Sequence, residues 1–211
     1  MATTETRTTL NAEGIPLAKR WLWVLLAAAI QSIYFPTSQA TSGGILPKLA
    51  IDVIPVYPVW VVPYYLTYAV WAFAIYWTVY KLDTQAFRAV IAGTLLAVSV
   101  GAFTFVFFPT YIELPIIVGD DIFSVLLRAI QVAGGTHAAL PSAHNYGTML
   151  VSAFASHFYP RKRWFWIVVV VTISLSTLFT GQHYILDAVT GLALGFMGYK
   201  FGIWWTGRNA A

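Results

Sequence analysis

The chain alternates long apolar stretches with short polar ones along most of its length. A helix needs about 20 mostly apolar residues to cross a bilayer, and six stretches approach or reach that length. The pattern therefore predicts an all-α polytopic membrane protein with six transmembrane helices. Tryptophan residues cluster at several of the span ends, as is typical of membrane interfaces. The six spans cover residues 21–35, 59–80, 89–108, 142–159, 164–180 and 184–205.

A further apolar pattern lies between the third and fourth spans. In DDIFSVLLRAIQ, apolar residues recur at helical spacing after Asp120 and Asp121. The segment is too short to cross a bilayer and predicts a helix lying along the interface. Residues 1–20 are polar and predict a loosely ordered tail, which leaves residues 21–211 as one membrane domain. The tail and the apolar run after it also resemble a signal peptide, but the later spans favour a membrane helix.

Composition agrees with a membrane protein, because 59% of the 211 residues are hydrophobic and 9% are charged. Soluble domains have roughly 25% charged residues. The chain has no cysteine, which excludes disulfides and thiol chemistry. The net charge of +4 comes from short basic groups between apolar stretches. It therefore indicates contact with membrane lipids and no nucleic-acid partner.

Lysine and arginine are distributed unevenly between the two sides that six spans define. Ten lie on the side of the termini and two on the opposite side. Cytoplasmic segments carry the excess of these residues, so the count predicts a multi-pass cell-membrane protein with both termini in the cytoplasm. The ten are Arg7, Lys19, Arg20, Lys81, Arg88, Arg161, Lys162, Arg163, Lys200 and Arg208, and the two are Lys48 and Arg128.

Two polar motifs open the fourth and sixth spans. ALPSAHNYG contains Ser142 and His144, and TGQHYILDAVTG contains His183 and Asp187. A proline and a serine suit a helix start, but they do not explain the histidine. His183 and Asp187 are four residues apart, on one face of a helix, and ionisable residues within a span indicate a functional site. On the six-span topology both motifs lie at the same extracytoplasmic level.

These side chains suit chemistry at phosphorus. A carboxylate that holds one imidazole nitrogen leaves the other free to act as a nucleophile, and a second imidazole can act as general acid. A helix N-terminus with a serine hydroxyl favours a phosphate group. His157 lies about 20 Å along the fourth helix from His144, at 1.5 Å per residue, and is excluded from the site. His137 lies in the outer loop and could join it.

PSAH, followed about forty residues later by HYILD, resembles the type 2 phosphatidic acid phosphatase superfamily. Its members are six-helix lipid phosphatases and phosphotransferases that need no metal or other cofactor. Carried over by position, the resemblance implies that His183 is the nucleophile and Asp187 its orienting partner. It further implies that His144 protonates the leaving oxygen and that Ser142 contacts phosphate.

The chain departs from that family's pattern in its phosphate-binding cations. The loop before the fourth span, FPTYIELP, has no basic residue, and Thr177 stands where the family usually has an arginine. KLDTQAFRA has the expected Lys-to-Arg spacing, but Ala89 replaces proline and the topology puts the segment on the wrong side. Lys48 and Arg128 are therefore the candidate phosphate ligands. Arg128 is the better candidate of the two, because a planar guanidinium can donate two parallel hydrogen bonds to a phosphate.

The predicted function is hydrolysis of a lipid phosphate or diphosphate through a phosphohistidine. LAIDVIPVYP and FFPT resemble the branch with inositol phosphorylceramide synthases, so transfer of a phosphorylated headgroup between lipids is the alternative. A zinc site built from His137, His144, His183 and Asp187 is an alternative to the phosphohistidine site. Measuring turnover in the presence of a chelator distinguishes the two. A proton-coupled carrier is the non-enzymatic alternative, although carriers usually bind near the membrane midplane.

Overall fold

The helix boundaries follow local signals in the sequence. A computed structural model describes residues 14–208, so residues 1–13 of the predicted tail lie outside it. Helix makes up 72% of the structure. The described chain has no β-strand, only isolated bridges between loop residues. Its helices are α1 Leu17–Gln31, α2 Tyr34–Ser38, α3 Val61–Tyr80, α4 Thr84–Phe107, α5 Ile122–Gly134, α6 Ala143–Phe158, α7 Arg163–Phe179 and α8 Ile185–Arg208.

Three of the helices, α4, α5 and α6, begin at a side chain that accepts a hydrogen bond from the first turn. Asp83 accepts from Ala86 N at the start of α4. Asp121 accepts from Phe123 N and Ser124 N at the start of α5. Hydrogen bonds from Ser124 hold the pKa of the Asp121 carboxyl below its usual value. Such caps satisfy amides that have no partner within the helix, so these starts are local properties of the sequence.

Four helical segments among the described residues are long and apolar enough to cross a membrane. This supports the prediction of an all-helical membrane protein. α6 has 16 residues, fewer than the roughly 20 that a span needs, and α8 is not among the four. The six-span count therefore stays a prediction, as does the interfacial position of α5. The four segments are Leu17–Ser38, Pro58–Tyr80, Thr84–Phe107 and Pro160–Phe179.

The first helix begins at Leu17, four residues before the predicted span. It includes Arg20, whose guanidinium donates to the carbonyls of Val79 at 3.1 Å and Leu82 at 2.7 Å. The same group lies 4.9 Å from the centre of the Phe87 ring. Arg20 thus satisfies carbonyls at the end of α3, and these contacts allow a charged residue to lie within the helix.

Close contacts along α8 determine how the bundle is arranged. A Cβ atom added to Gly191 would lie 2.6 Å from the Ser142 carbonyl oxygen, and one added to Gly195 would lie 2.4 Å from that of Tyr146. α6 and α8 therefore run in the same direction and touch through backbone, as small residues four apart allow. Further along α8, Gly202 lets the backbone of α4 approach equally closely, because a Cβ added to Gly202 would lie 2.2 Å from the Ala89 carbonyl oxygen.

We expect Gly195→Ala to destabilise the bundle by roughly 1–3 kcal/mol, as overpacking of a closely packed interior does. The added methyl group would meet the backbone of α6, which cannot rotate away. Gly207→Ala on the same helix is the matched control, because nothing lies within 4 Å of its added Cβ. Thermal unfolding in detergent measures both. Equal melting temperatures for the two variants would contradict the close α6–α8 contact.

Candidate active site

The parallel direction of α6 and α8 brings His144 and His183 together at the end of the bundle where both helices start. We call this end the histidine end. The two imidazole rings have centroids 6.0 Å apart and an interplanar angle of 60°. His144 is 9% exposed, and the His183 side chain is 10% exposed. The structure thus places the two predicted histidines in one largely enclosed site.

Asp187 is fully buried beside His183. Its Oδ2 atom lies 3.5 Å from His183 Nδ1 and accepts a hydrogen bond from Tyr184 N at 2.9 Å. The distance between Asp187 Oδ2 and His183 Nδ1 is within the range of an ion pair. It is longer than an N–H···O hydrogen bond, which spans about 2.7–3.2 Å. The carboxyl group therefore faces the imidazole, and His183 Nδ1 has no hydrogen-bond partner. This geometry turns Nε2 of His183 away from the carboxylate.

The backbone around His183 is held from two sides. The carbonyl of Thr177, at the end of α7, accepts from both Gln182 N and His183 N at 3.1 Å. Asp52, from the loop before α3, accepts from Ile185 N at 2.8 Å and so caps α8. Thr177 occupies the position where the resemblance leads one to expect an arginine, and it is fully buried. Here it positions the histidine through its backbone.

Ser142 caps α6 inside the protein. Its hydroxyl accepts from Asn145 N at 3.4 Å and from Asn145 Nδ2 at 3.0 Å, and it is fully buried. Asn145 Nδ2 also donates to Thr177 Oγ1 at 3.2 Å. The Ser142 amide donates to the Asp187 carbonyl at 3.0 Å. This network links the starts of α6 and α8 to α7. Sequence reasoning missed Asn145, because its bond to Thr177 joins two helices and leaves no local signal in the sequence.

Aromatic side chains of α3 surround His144. Its ring lies 4.4 Å from that of Tyr64, 6.0 Å from that of Tyr68 and 5.5 Å from that of Trp71, centroid to centroid. His144 Nε2 is buried and has no hydrogen-bond partner. The three aromatics were also missed from sequence, since their helical spacing in a run rich in tyrosine and tryptophan is not distinctive. They set the position of the imidazole by packing.

His137 lines a small cavity beside His183, with a volume of about 20 Å³. Its ring nitrogens are 3.0 Å from Thr136 Oγ1 and 3.0 Å from the Gly43 carbonyl oxygen, so His137 holds loop segments together. Within residues 14–208, no group of three His, Cys, Asp or Glu side chains is placed to hold a metal ion. The four side chains of the zinc alternative are therefore not assembled as a metal site.

The two predicted phosphate ligands have partners in the loops at the histidine end. Lys48 Nζ lies 3.1 Å from Glu113 Oε2, and this hydrogen bond raises the pKa of Lys48. The same atom lies 5.7 Å from the centre of the Tyr184 ring, next in sequence to His183. Arg128 donates to the carbonyls of Ile117 at 3.2 Å and Gly119 at 2.7 Å. Their role in binding phosphate stays a prediction.

Residues 121–211 match the model of the PAP2 superfamily. This region contains α5 to α8 and both histidine motifs. Members of that superfamily are phosphatases or phosphotransferases that act on lipid phosphates. The match covers less than half of the chain and agrees with the family resemblance that the two motifs carry. The match does not show the inositol phosphorylceramide synthase branch. No curated protein and no solved structure matches the chain.

Proposed function

We propose that this protein hydrolyses a lipid phosphate or diphosphate at the extracytoplasmic face of the membrane through a phosphohistidine. The observation that carries the proposal is the pair of imidazoles from different helices, with ring centroids 6.0 Å apart and with one of them facing a buried carboxylate. A phosphorus atom between the two rings has a nucleophile on one side and a proton donor on the other. The match of this region to the PAP2 superfamily supports the same chemistry.

In the first step His183 Nε2 attacks phosphorus while Nδ1 faces Asp187. A nitrogen–phosphorus bond forms and the bond from phosphorus to the lipid oxygen breaks. His144 gives its proton to that oxygen, and the Asp187 carboxylate stabilises the positive charge that develops on His183. In the second step His144 takes a proton from water, whose oxygen attacks phosphorus. The nitrogen–phosphorus bond breaks, phosphate is released, and both histidines return to their starting state.

The proposed topology has six spans, with α5 at the interface and both termini in the cytoplasm. Ten of the twelve lysines and arginines then lie on the cytoplasmic side. The distribution follows the positive-inside rule, which supports this orientation. The histidine end consequently faces the extracytoplasmic headgroups. A lipid phosphate of the outer leaflet reaches that level without crossing the membrane.

Transfer of a phosphorylated headgroup is the second candidate function, because Thr177 and Asn145 near His183 are neutral. Thr177 and Asn145 bond to each other where the family usually supplies a cation. A phosphate diester carries one negative charge, whereas a monoester carries up to two, so a site with fewer cations favours the diester. An alcohol would then replace water in the second step. This candidate would place the protein closer to the inositol phosphorylceramide synthase branch.

Product analysis with purified protein in detergent tests the function. The substrates are phosphatidate, a prenyl diphosphate, and inositol- and ceramide-type lipids, each with and without chelator. Release of inorganic phosphate that persists in chelator is expected for hydrolysis. A new phosphorylated lipid instead of free phosphate would favour transfer. Uptake into vesicles without any turnover would favour a carrier and contradict both enzymatic proposals.

We expect Arg128→Ala, Lys48→Ala or both to raise KM for the lipid phosphate roughly 10- to 100-fold. A hydrogen bond to a charged group contributes about 1.5–3 kcal/mol, which corresponds to that range. Initial rates across substrate concentration measure it. Lys81→Ala and Arg88→Ala, at the opposite end of the bundle, are the controls and should leave KM unchanged. Unaltered kinetics in both test variants would eliminate these two residues as phosphate ligands.

A further inference from the structure

An apolar groove runs along the bundle between α1, α3, α4 and α6. We call it the α1–α3 groove. It encloses a volume of about 320 Å³, which is at the lower end of the range for ligand pockets, roughly 300–1,000 Å³. Its walls are almost entirely hydrocarbon and aromatic. The lining includes Ala28, Trp71, Ala74, Val98, Gly147 and Leu150.

The groove starts at the histidine end and extends deep into the bundle. Along α6 it is lined from Ala143 to Phe154. Eleven residues of helix at 1.5 Å each give a length of about 16 Å. Phe35 and Ile75 on its wall are 64% and 42% exposed, so the groove is open along its side. In a bilayer that opening faces lipid chains, because α1 and α3 lie within membrane-spanning segments.

Trp71 connects the groove with the candidate active site. Its indole lines the groove and also stacks on the His144 ring at an interplanar angle of 28°. Gly147 allows this position, because a Cβ there would lie 2.7 Å from Trp71 Nε1. His144 lies on the same turn of α6 as Ala143 and Gly147, which both line the groove. One end of the groove is thus separated from His144 by a single side chain.

From this continuity we infer that the α1–α3 groove holds a hydrocarbon chain of the substrate lipid while its phosphate lies between His144 and His183. The inference rests on the proposed function and names its substrate class: a phosphate ester with at least one long acyl or prenyl chain. A wall without charged groups offers nothing to the phosphate but matches an alkyl chain. The open side lets the chain enter directly from the bilayer.

The groove contributes mainly to positioning. A chain in the bilayer is already in an apolar environment, so moving it into the groove gains packing contacts and little hydrophobic free energy. Those contacts align the phosphate with the histidines, and loss of alignment lowers the rate of the chemical step. A substrate without a long chain gains nothing from the groove. Changes in the groove should therefore alter turnover of long-chain substrates selectively.

Bulky substitutions in the groove test this inference. Ala74→Phe on α3 and Ala28→Phe on α1 place a ring inside it. Ala72→Phe and Ala29→Phe are the matched controls, on the same helices at exposed positions outside the lining. We expect kcat/KM for dioleoyl phosphatidate to fall about tenfold in both test variants, a typical effect of altered pocket contacts. Their rates with a water-soluble aryl phosphate, and both rates in the controls, should stay unchanged. Thermal unfolding checks that each variant is folded.

Equal rates in test and control variants would overturn the inference, and so would an equal loss on both substrates. Photolabelling separates its failure from failure of the proposed function. A long-chain phosphate lipid with a diazirine in its chain is irradiated with the unaltered protein, and labelled peptides are identified by mass spectrometry. Labelling of groove residues that excess phosphatidate suppresses supports chain binding, even if no substrate releases phosphate. Labelling spread evenly around the bundle, or a crosslinked dimer with an unlabelled groove, contradicts it.

Discussion

Replacing His183 by alanine is expected to abolish phosphate release, with a loss of roughly a thousandfold or more, as for removal of a nucleophile that acts within a unit. The variant has no atom that can form the nitrogen–phosphorus bond. His144 and Asp187 then have no intermediate to act on. The measurement is kcat for lipid phosphate in detergent. Capture of labelled phosphorus on the unaltered protein, followed by mapping to His183, tests the intermediate directly.

His157→Ala is the matched control for this loss. His157 lies on α6 far from the histidine end, and its Nδ1 is 3.2 Å from the Tyr199 hydroxyl. Its removal should leave kcat unchanged. Because the His183 ring is largely enclosed beside the buried Asp187, thermal unfolding checks that the His183 variant is folded. Full activity in a folded His183→Ala variant would refute the phosphohistidine mechanism.

Replacing His144 by alanine is expected to lower kcat for lipid phosphate by about 10²- to 10⁴-fold, the range for loss of a general acid. An alkoxide is a poor leaving group and needs the proton that His144 supplies. An aryl phosphate releases a phenolate, which leaves readily without that proton. His144→Ala should therefore slow formation of the phosphohistidine much less with an aryl phosphate than with a lipid phosphate. A burst of phenolate before steady turnover measures this first step.

The dependence on leaving group distinguishes an acid from a residue that only shapes the site. His183→Ala serves as the comparison, because its loss should be equally large with alkyl and aryl phosphates. Trp71→Ala, which removes a ring stacked on His144, should lower the rate with both substrates if the imidazole merely loses its position. If His144→Ala loses the same factor on both substrates, His144 is not the proton donor.

Much of the fold was predictable because it depends on local properties. The apolar stretches gave the helices to within a few residues, as with 142–159 against α6 Ala143–Phe158. Length and hydrophobicity are read along the chain, and so are caps such as Asp121. The start of α1 was placed too late, because Arg20 is tolerated only through its bonds to carbonyls of a different helix.

The candidate catalytic side chains were likewise readable from sequence, since His144, His183 and Asp187 belong to short motifs at helix starts. The spacing predicted His183 and Asp187 on one helical face. The structure instead places His183 two residues before α8, and the two side chains still lie within 3.5 Å of each other. The surroundings of these side chains were not readable. Asp52 caps a helix 133 residues further along the chain, and Tyr64 packs on a histidine from another helix. No local pattern records such contacts.

The sequence by itself therefore determined that this is an all-helical protein with membrane-spanning segments and roughly where its helices lie, and it predicted three side chains suited to chemistry at phosphorus. These follow from hydrophobicity, capping and spacing within single helices. Only the tertiary structure decided that His144 meets His183, that Asn145 bonds to Thr177, and that an apolar groove ends beside Trp71. These depend on the rotation and separation of packed helices, which the backbone contacts of Gly191 and Gly195 set.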